Sequence, residues 1–95
     1  MGETPVTAGS VRVRYWAAAK AAAGTAEDLL PAAGPLTLAD VRRQAVALHP
    51  GTRLEEVLGA CSVLVGDAPV GSRADDEVRV DPGVSVEFLP PFAGG

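Results

Sequence analysis

The residues with the most evident chemistry close the chain: Pro90-Pro91-Phe92-Ala93-Gly94-Gly95. A carboxylate is a poor electrophile. It becomes a good one when its oxygen attacks the α-phosphate of ATP and forms an acyl-adenylate, from which sulfide or a persulfide displaces the nucleotide. At Gly95 the product would be a thiocarboxylate, a nucleophilic sulfur carried on a protein arm and positioned by whatever pocket holds that arm. Gly94 and Gly95 carry no side chains and so suit a channel too narrow for any other residue type. Pro90 and Pro91 lack backbone donors and hold an extended φ, so a preceding strand must stop there and the tail leave as a stiff spacer.

Other chemistry-bearing residues are scattered. Cys61 opens an apolar run with no His or Asp near it in sequence, as a buried free thiol does. His49 precedes Pro50 at a helix end, where an imidazole is expected to meet free carbonyls. Asp75, Asp76 and Glu77 form a compact acidic run, read as a solvated loop, and Lys20 as a solvated charge on a turn. No acid–base pair, nucleophile constellation or phosphate-binding glycine loop emerges, so an independent enzyme is the least favoured class.

The elements that must position the tail can be read in order. Val11–Trp16 alternates, with Val11, Val13 and Tyr15 on one face and Arg12, Arg14 and Trp16 on the other, which predicts a half-buried strand. The Ala-rich run Ala17–Gly24 predicts a single helical turn ended by Gly24, and Thr25–Pro31 a second strand. The main helix is expected from Thr37, capped by its hydroxyl with Asp40 three residues on, and facing the sheet with Leu38, Val41, Ala45 and Leu48. Thr52 and Glu55 predict a second capping box, opening a short helix to Gly59. Cys61–Val65 reads as a strand, Gly66-Asp67 as a turn and Ala68–Val70 as a short return, with Val78–Val80 a brief strand or bridge. Asp81-Pro82-Gly83 is a type II turn signal, and Val84–Leu89 the last strand, with Val84, Val86 and Phe88 inward. Strands enclosing one well-capped helix make an α+β domain, with the element order of a β-grasp, or ubiquitin-like, mixed sheet packed on one main helix. The expected organisation is a flexible tail over 1–10, the β-grasp domain over 11–89 and an extended tail over 90–95.

Composition bounds the function classes. With 95 residues the chain holds one core, and 47% hydrophobic with 21% charged residues argues against disorder. Twelve acidic and eight basic residues give a net charge of −4 without a basic stripe, which disfavours nucleic acid and fits a partner with a basic surface. One Cys and one His cannot build a structural zinc site, and no metal is expected. A polar N-terminus and the lack of a long apolar run lead to the expectation of a cytoplasmic protein with no membrane partner.

Three segments, VRVRYWAAAKAAAG, the Thr37-Leu38 helix start and above all the ending VEFLPPFAGG, resemble the MoaD/ThiS family of ubiquitin-like sulfur carriers, over about Val11–Gly95. The charged loop Gly66–Asp81 and the first ten residues depart from the family core. The resemblance implies that Gly95 is adenylated by a ubiquitin-activating-like adenylyltransferase using ATP and is converted to a thiocarboxylate, with Gly94 allowing insertion. It implies no bound cofactor, and an apolar collar of Phe88, Leu89, Pro90, Pro91, Phe92 and Ala93 that docks on partners. The implied acceptor is a synthase, either a large molybdopterin synthase subunit or a thiazole synthase. The Pro-Pro, hydrophobic, Ala-Gly-Gly ending points to the molybdopterin branch, where the protein would be the sulfur-donating small subunit, not catalytic alone. Sulfur supply for thiamine thiazole or cysteine, a ubiquitin-like protein modifier and a plain interaction module are the alternatives.

Overall fold

The computed structural model describes residues 9–91. Phe92, Ala93, Gly94 and Gly95, and the first eight residues of the expected N-terminal tail, lie outside the described residues. Strand β1, Ser10–Tyr15, begins one residue before the expected boundary, because Ser10 is already paired with Pro31 of β2. The alternation of β1 is realised: Val11, Val13 and Tyr15 are buried while Arg12 and Arg14 face outward. Helix α1, Ala17–Ala23, runs for about two turns rather than the single one expected, because Ala19 and Ala23 bury against the core. Gly24, with φ of 77°, ends it by donating to the Lys20 carbonyl at 2.9 Å, a left-handed cap that a side chain would strain.

Strand β2, Glu27–Pro31, returns antiparallel to β1. Then β3, Leu36–Thr37, leads directly into helix α2, Leu38–Ala47. The Thr37–Asp40 cap forms in both directions, Asp40 N donating to Thr37 Oγ1 and Thr37 N to Asp40 Oδ2, each at 3.0 Å. These bonds, the Thr37 backbone first and then Arg43, hold the Asp40 carboxyl below its ordinary value. Leu38, Val41 and Ala45 form the buried stripe, but Leu48, expected in it, is 51% exposed because the helix ends at Ala47 and the chain turns away.

The Thr52–Glu55 capping box does not form. Thr52 Oγ1 instead donates to the His49 carbonyl at 2.7 Å and accepts from Leu54 N at 3.3 Å, closing the turn. Arg53 therefore becomes the residue before helix α3, Leu54–Gly59, and pairs with Glu56 at 3.0 Å. Strand β4, Ser62–Val65, turns into β5, Ala68–Pro69, an edge kept short and exposed and blunted by Pro69. A 3-10 turn, Asp75–Glu77, precedes β6, Arg79–Val80, which pairs with β3. The acidic run is thus not wholly solvated: Asp75 Oδ2 lies 2.7 Å from Arg42 Nε. Across Asp81-Pro82-Gly83, Val84 N donates to the Asp81 carbonyl at 3.1 Å with Gly83 at φ of 93°, and the chain enters β7, Ser85–Leu89.

The main sheet has the order β2-β1-β7-β4-β5, with β1 and β7 parallel and the other pairs antiparallel. The core unites Val11, Val13 and Tyr15 with Val86 and Phe88, and with the buried faces of α2 and α3. Ten residues are too few for α2 to persist alone, so burial, at about 1.5–3 kcal/mol for each large aliphatic side chain, holds it on the sheet.

His49 does not cap carbonyls with its ring. Its Nε2 lies 2.6 Å from Asp28 Oδ2, the same oxygen that accepts from the Tyr15 hydroxyl at 2.8 Å. This pairing ties β1, β2 and the end of α2 together, and the imidazole meets the Tyr15 ring edge-on at 6.0 Å. Burial, and then the bond to Asp28, push the Tyr15 phenol above the ordinary tyrosine range.

Thr37→Ala is expected to lower stability by about 1 kcal/mol, read by urea unfolding. The Asp40 half of that cap is present above the ordinary carboxylate value and is lost as the pH falls through its lowered one. The Tyr15 contribution is whole below pH 10.0 and declines as the pH rises further, because the unfolded chain ionises its tyrosine first. An absorbance titration should show this sole tyrosine ionising late. Asp28→Asn should advance that ionisation and cost about 1–3 kcal/mol. An ordinary tyrosine titration in the folded wild type would contradict the arrangement.

Candidate site at the base of the C-terminal tail

The tail is positioned by β7, which lies between β1 and β4 rather than at an edge. Its alternation places Val86 and Phe88 in the core and leaves Ser85, Glu87 and Leu89 partly exposed. Phe88 stacks on Tyr15 with centroids 6.3 Å apart, and the Arg42 guanidinium lies 5.4 Å from its ring centroid. Arg42 is held there by donating from Nη1 to the Leu58 carbonyl at 2.9 Å and by its ion pair with Asp75.

Phe88 is therefore corrected as a docking residue. Its side chain is fully buried, because the parity that puts Leu89 outward puts Phe88 into the core. It anchors the tail rather than meeting a partner. Leu89 is half-buried, Pro90 and Pro91 are exposed, and these three are the other described residues of the expected collar.

Trp16, expected only to lie on the outer face of the first strand, stands at the root of the tail. Its backbone N–H donates to the Phe88 carbonyl at 3.1 Å, extending the β1–β7 ladder to the last strand residues. Its indole N–H donates to Glu87 Oε1 at 2.9 Å, and the Arg14 guanidinium lies 5.1 Å from the ring centroid. Arg14 in turn sits 4.0 Å from Glu27, and Arg12 lies 3.7 Å from the same carboxylate, so neither is a bare solvated charge. The available signal for Trp16 was a large aromatic on the polar face of a strand, in a chain with only four aromatic residues. Immediately after it, Ala17 carries a φ of 50°, a left-handed value that is uncommon for a residue with a Cβ.

Between α1, α3 and Pro90-Pro91 lies a groove of about 300 Å³. Trp16 and Ala17–Ala19 line one side, and Val57, Ala60 and Cys61 the other. The Cys61 thiol donates to the Val57 carbonyl at 3.3 Å, and burial pushes its pKa up, with Arg42 opposing only in part. A thiol held protonated is a poor nucleophile, so Cys61 belongs to the wall of the groove rather than to a reaction. Among the described residues no group of three or more His, Cys, Asp or Glu could hold a metal ion, and no helix is long and apolar enough to cross a membrane.

These features define a β-grasp, ubiquitin-like domain whose central last strand opens into an exposed proline spacer. The ThiS family profile matches residues 13–95, and the chain belongs to that family. It is 34% identical over 89 residues to the molybdopterin synthase sulfur carrier subunit of Aspergillus niger, covering 94% of this chain and 98% of that protein. It is 31% identical over 90 residues to the subunit of the same name in Emericella nidulans, covering 88% of this chain and 96% of that protein. Among solved structures, SAMP1 from Haloferax volcanii superposes with a TM-score of 0.70 at 23% identity, over 92% of this chain and 100% of that one. The small archaeal modifier protein 1 of Methanosarcina acetivorans does so with a TM-score of 0.70 at 22% identity, over 92% of this chain and 97% of that one. At such identities the structural likeness speaks to the fold alone.

Trp16 is the sole tryptophan, so its fluorescence reports this site directly. Glu87→Ala should shift its emission to the red and lower its anisotropy, while changing overall stability by no more than about 0.5 kcal/mol. An unchanged emission would mean that the Glu87 bond does not hold the ring.

Proposed function

We propose that this protein is a sulfur carrier of the molybdopterin synthase small-subunit kind, with Gly95 as the residue that carries the sulfur. The observation behind this reading is the nearly full-length similarity to two molybdopterin synthase sulfur carrier subunits. The setting of the tail agrees with it: a buried Phe88 anchors the last strand, and exposed Pro90-Pro91 lead toward Phe92–Gly95.

In this reading a ubiquitin-activating-like adenylyltransferase binds the domain and ATP. A Gly95 carboxylate oxygen attacks the α-phosphorus, and pyrophosphate leaves. Sulfide then attacks the acyl carbon and AMP departs, leaving a thiocarboxylate. The loaded tail enters the large synthase subunit, where its sulfur attacks a carbon of the pterin precursor and displaces an oxygen substituent, the C–S bond forming as that C–O bond breaks and the oxygen leaves with the electron pair. Water cleaves the resulting acyl–sulfur bond and restores the carboxylate. The domain contributes position: the acyl group arrives on a short arm whose base is fixed, which replaces a free encounter by an oriented one. The compartment proposed is the cytoplasm, which supplies ATP. Delivery to a thiazole synthase or to cysteine synthesis uses the same loaded terminus, and the names of the two relatives favour the molybdopterin acceptor.

Intact-mass measurement after incubation with a cognate activating enzyme, ATP and sulfide should show one terminal oxygen replaced by sulfur. Removal of Gly95 should abolish the change with no loss of folded structure. Higher-mass conjugates with other proteins in place of this gain would favour the modifier reading, and no gain with an enzyme active on another carrier would refute the carrier assignment.

A further inference from the structure

We infer that the groove between α1 and α3 receives an apolar side chain of the companion synthase subunit, making it a second docking point beside the tail. This rests on the reading of Gly95 as the reactive end.

The reach of the chain carries the first step. Four residues, Phe92–Gly95, follow Pro91. An extended residue spans at most about 3.6 Å, so the Gly95 carbonyl stays within roughly 15 Å of Pro91. A reaction centre within another protein can take that carbonyl only if the other protein's surface closes over the residues around Pro91. Pro90 and Pro91 themselves line the groove, so the surface that must be covered contains it.

The shape and chemistry of the groove carry the second. Its volume is about 300 Å³. A cavity of roughly 150 Å³ already admits a benzene ring, so there is room for one large aliphatic or aromatic side chain. The space exists because Ala17, Ala18 and Ala60 present only methyl groups where longer side chains would fill it. On its rim Arg53 and Glu56 are already paired at 3.0 Å, so a partner can cover the site without stranding a charge. Cys61 contributes a neutral thiol that is hydrogen-bonded within the chain. A small apolar recess within a polar rim, next to a tail that must be inserted, is the anatomy of an interface core with an anchor pocket. The two relatives are named as subunits, and a lasting assembly needs such a core.

The test fills the groove and leaves the tail intact. Ala18 and Ala60 are exposed and have ordinary backbone surroundings, so Ala18→Leu and Ala60→Phe should fold, as thermal unfolding would verify. Calorimetric titration with the companion large subunit should show each variant binding at least about tenfold more weakly than wild type. If one variant fails to fold, the other decides. Wild-type affinity in a folded variant overturns the inference, and does so alone if the wild-type protein still gains sulfur at Gly95. Failure of the wild type to gain sulfur removes the reading and the inference together. Sedimentation showing that the variants break a wild-type homodimer, with binding to the large subunit unchanged, would assign the groove to a second copy and equally overturn it.

Discussion

The parallel pairing of β1 with β7 joins the first strand of the domain to the last, and the rest of the molecule is arranged around that pair. Each has a further antiparallel neighbour, β2 on one side and β4 on the other, so both lie inside the sheet with their backbone groups satisfied. A strand so placed cannot peel away without breaking two ladders. The tail that follows β7 therefore starts from one of the most constrained points of the fold, although the tail itself begins with exposed residues.

The contacts around Phe88 show how that constraint is maintained. Its ring packs near both Tyr15 and the Arg42 guanidinium, and each of those is tied to another element, Tyr15 to Asp28 of β2 and Arg42 to the end of α3 and to Asp75. One aromatic side chain at the end of the last strand thus gathers three parts of the core. The parity of the strand then does the rest: with Phe88 inward, Glu87 faces outward beside Trp16, whose backbone extends the ladder to the Phe88 carbonyl. In the proposed reading the domain serves as a mount, and the chemistry belongs to the short segment that follows it.

Polar groups on the two sides of the sheet serve different ends. On the core side the Tyr15, Asp28 and His49 side chains satisfy one another where solvent reaches them poorly, which fixes β2 and the end of α2 relative to β1. On the outer side Arg12, Arg14, Glu27 and Glu87 form a more exposed set around Trp16, in which each ion pair is worth little but the indole is given a defined orientation. Membership of the ThiS family and the sulfur-carrier reading both agree with a domain that fixes its last strand at the centre of the sheet.

Much of this was legible in the sequence, wherever the signal was local. The alternation in Val11–Tyr15, the Thr37–Asp40 cap, the Gly24 stop and the Asp81-Pro82-Gly83 turn depend on neighbours within a few residues, and each is present as expected. The ending VEFLPPFAGG likewise carried the family resemblance with no help from the fold. Where a residue had two possible partners, only the tertiary structure chose. Thr52 closed a turn instead of a capping box, and His49 found Asp28, distant in sequence, instead of nearby carbonyls. Arg42, Trp16 and the groove beside Pro90-Pro91 came into view for the same reason, since their partners lie far along the chain and are brought near only by packing. Phe88 joins the two levels. The alternation with Leu89 already directed its side chain inward, and the three-dimensional contacts decided what it meets there, the Tyr15 ring and the Arg42 guanidinium, because only packing brings those groups to it; fully buried, the ring leaves no surface for a partner to touch.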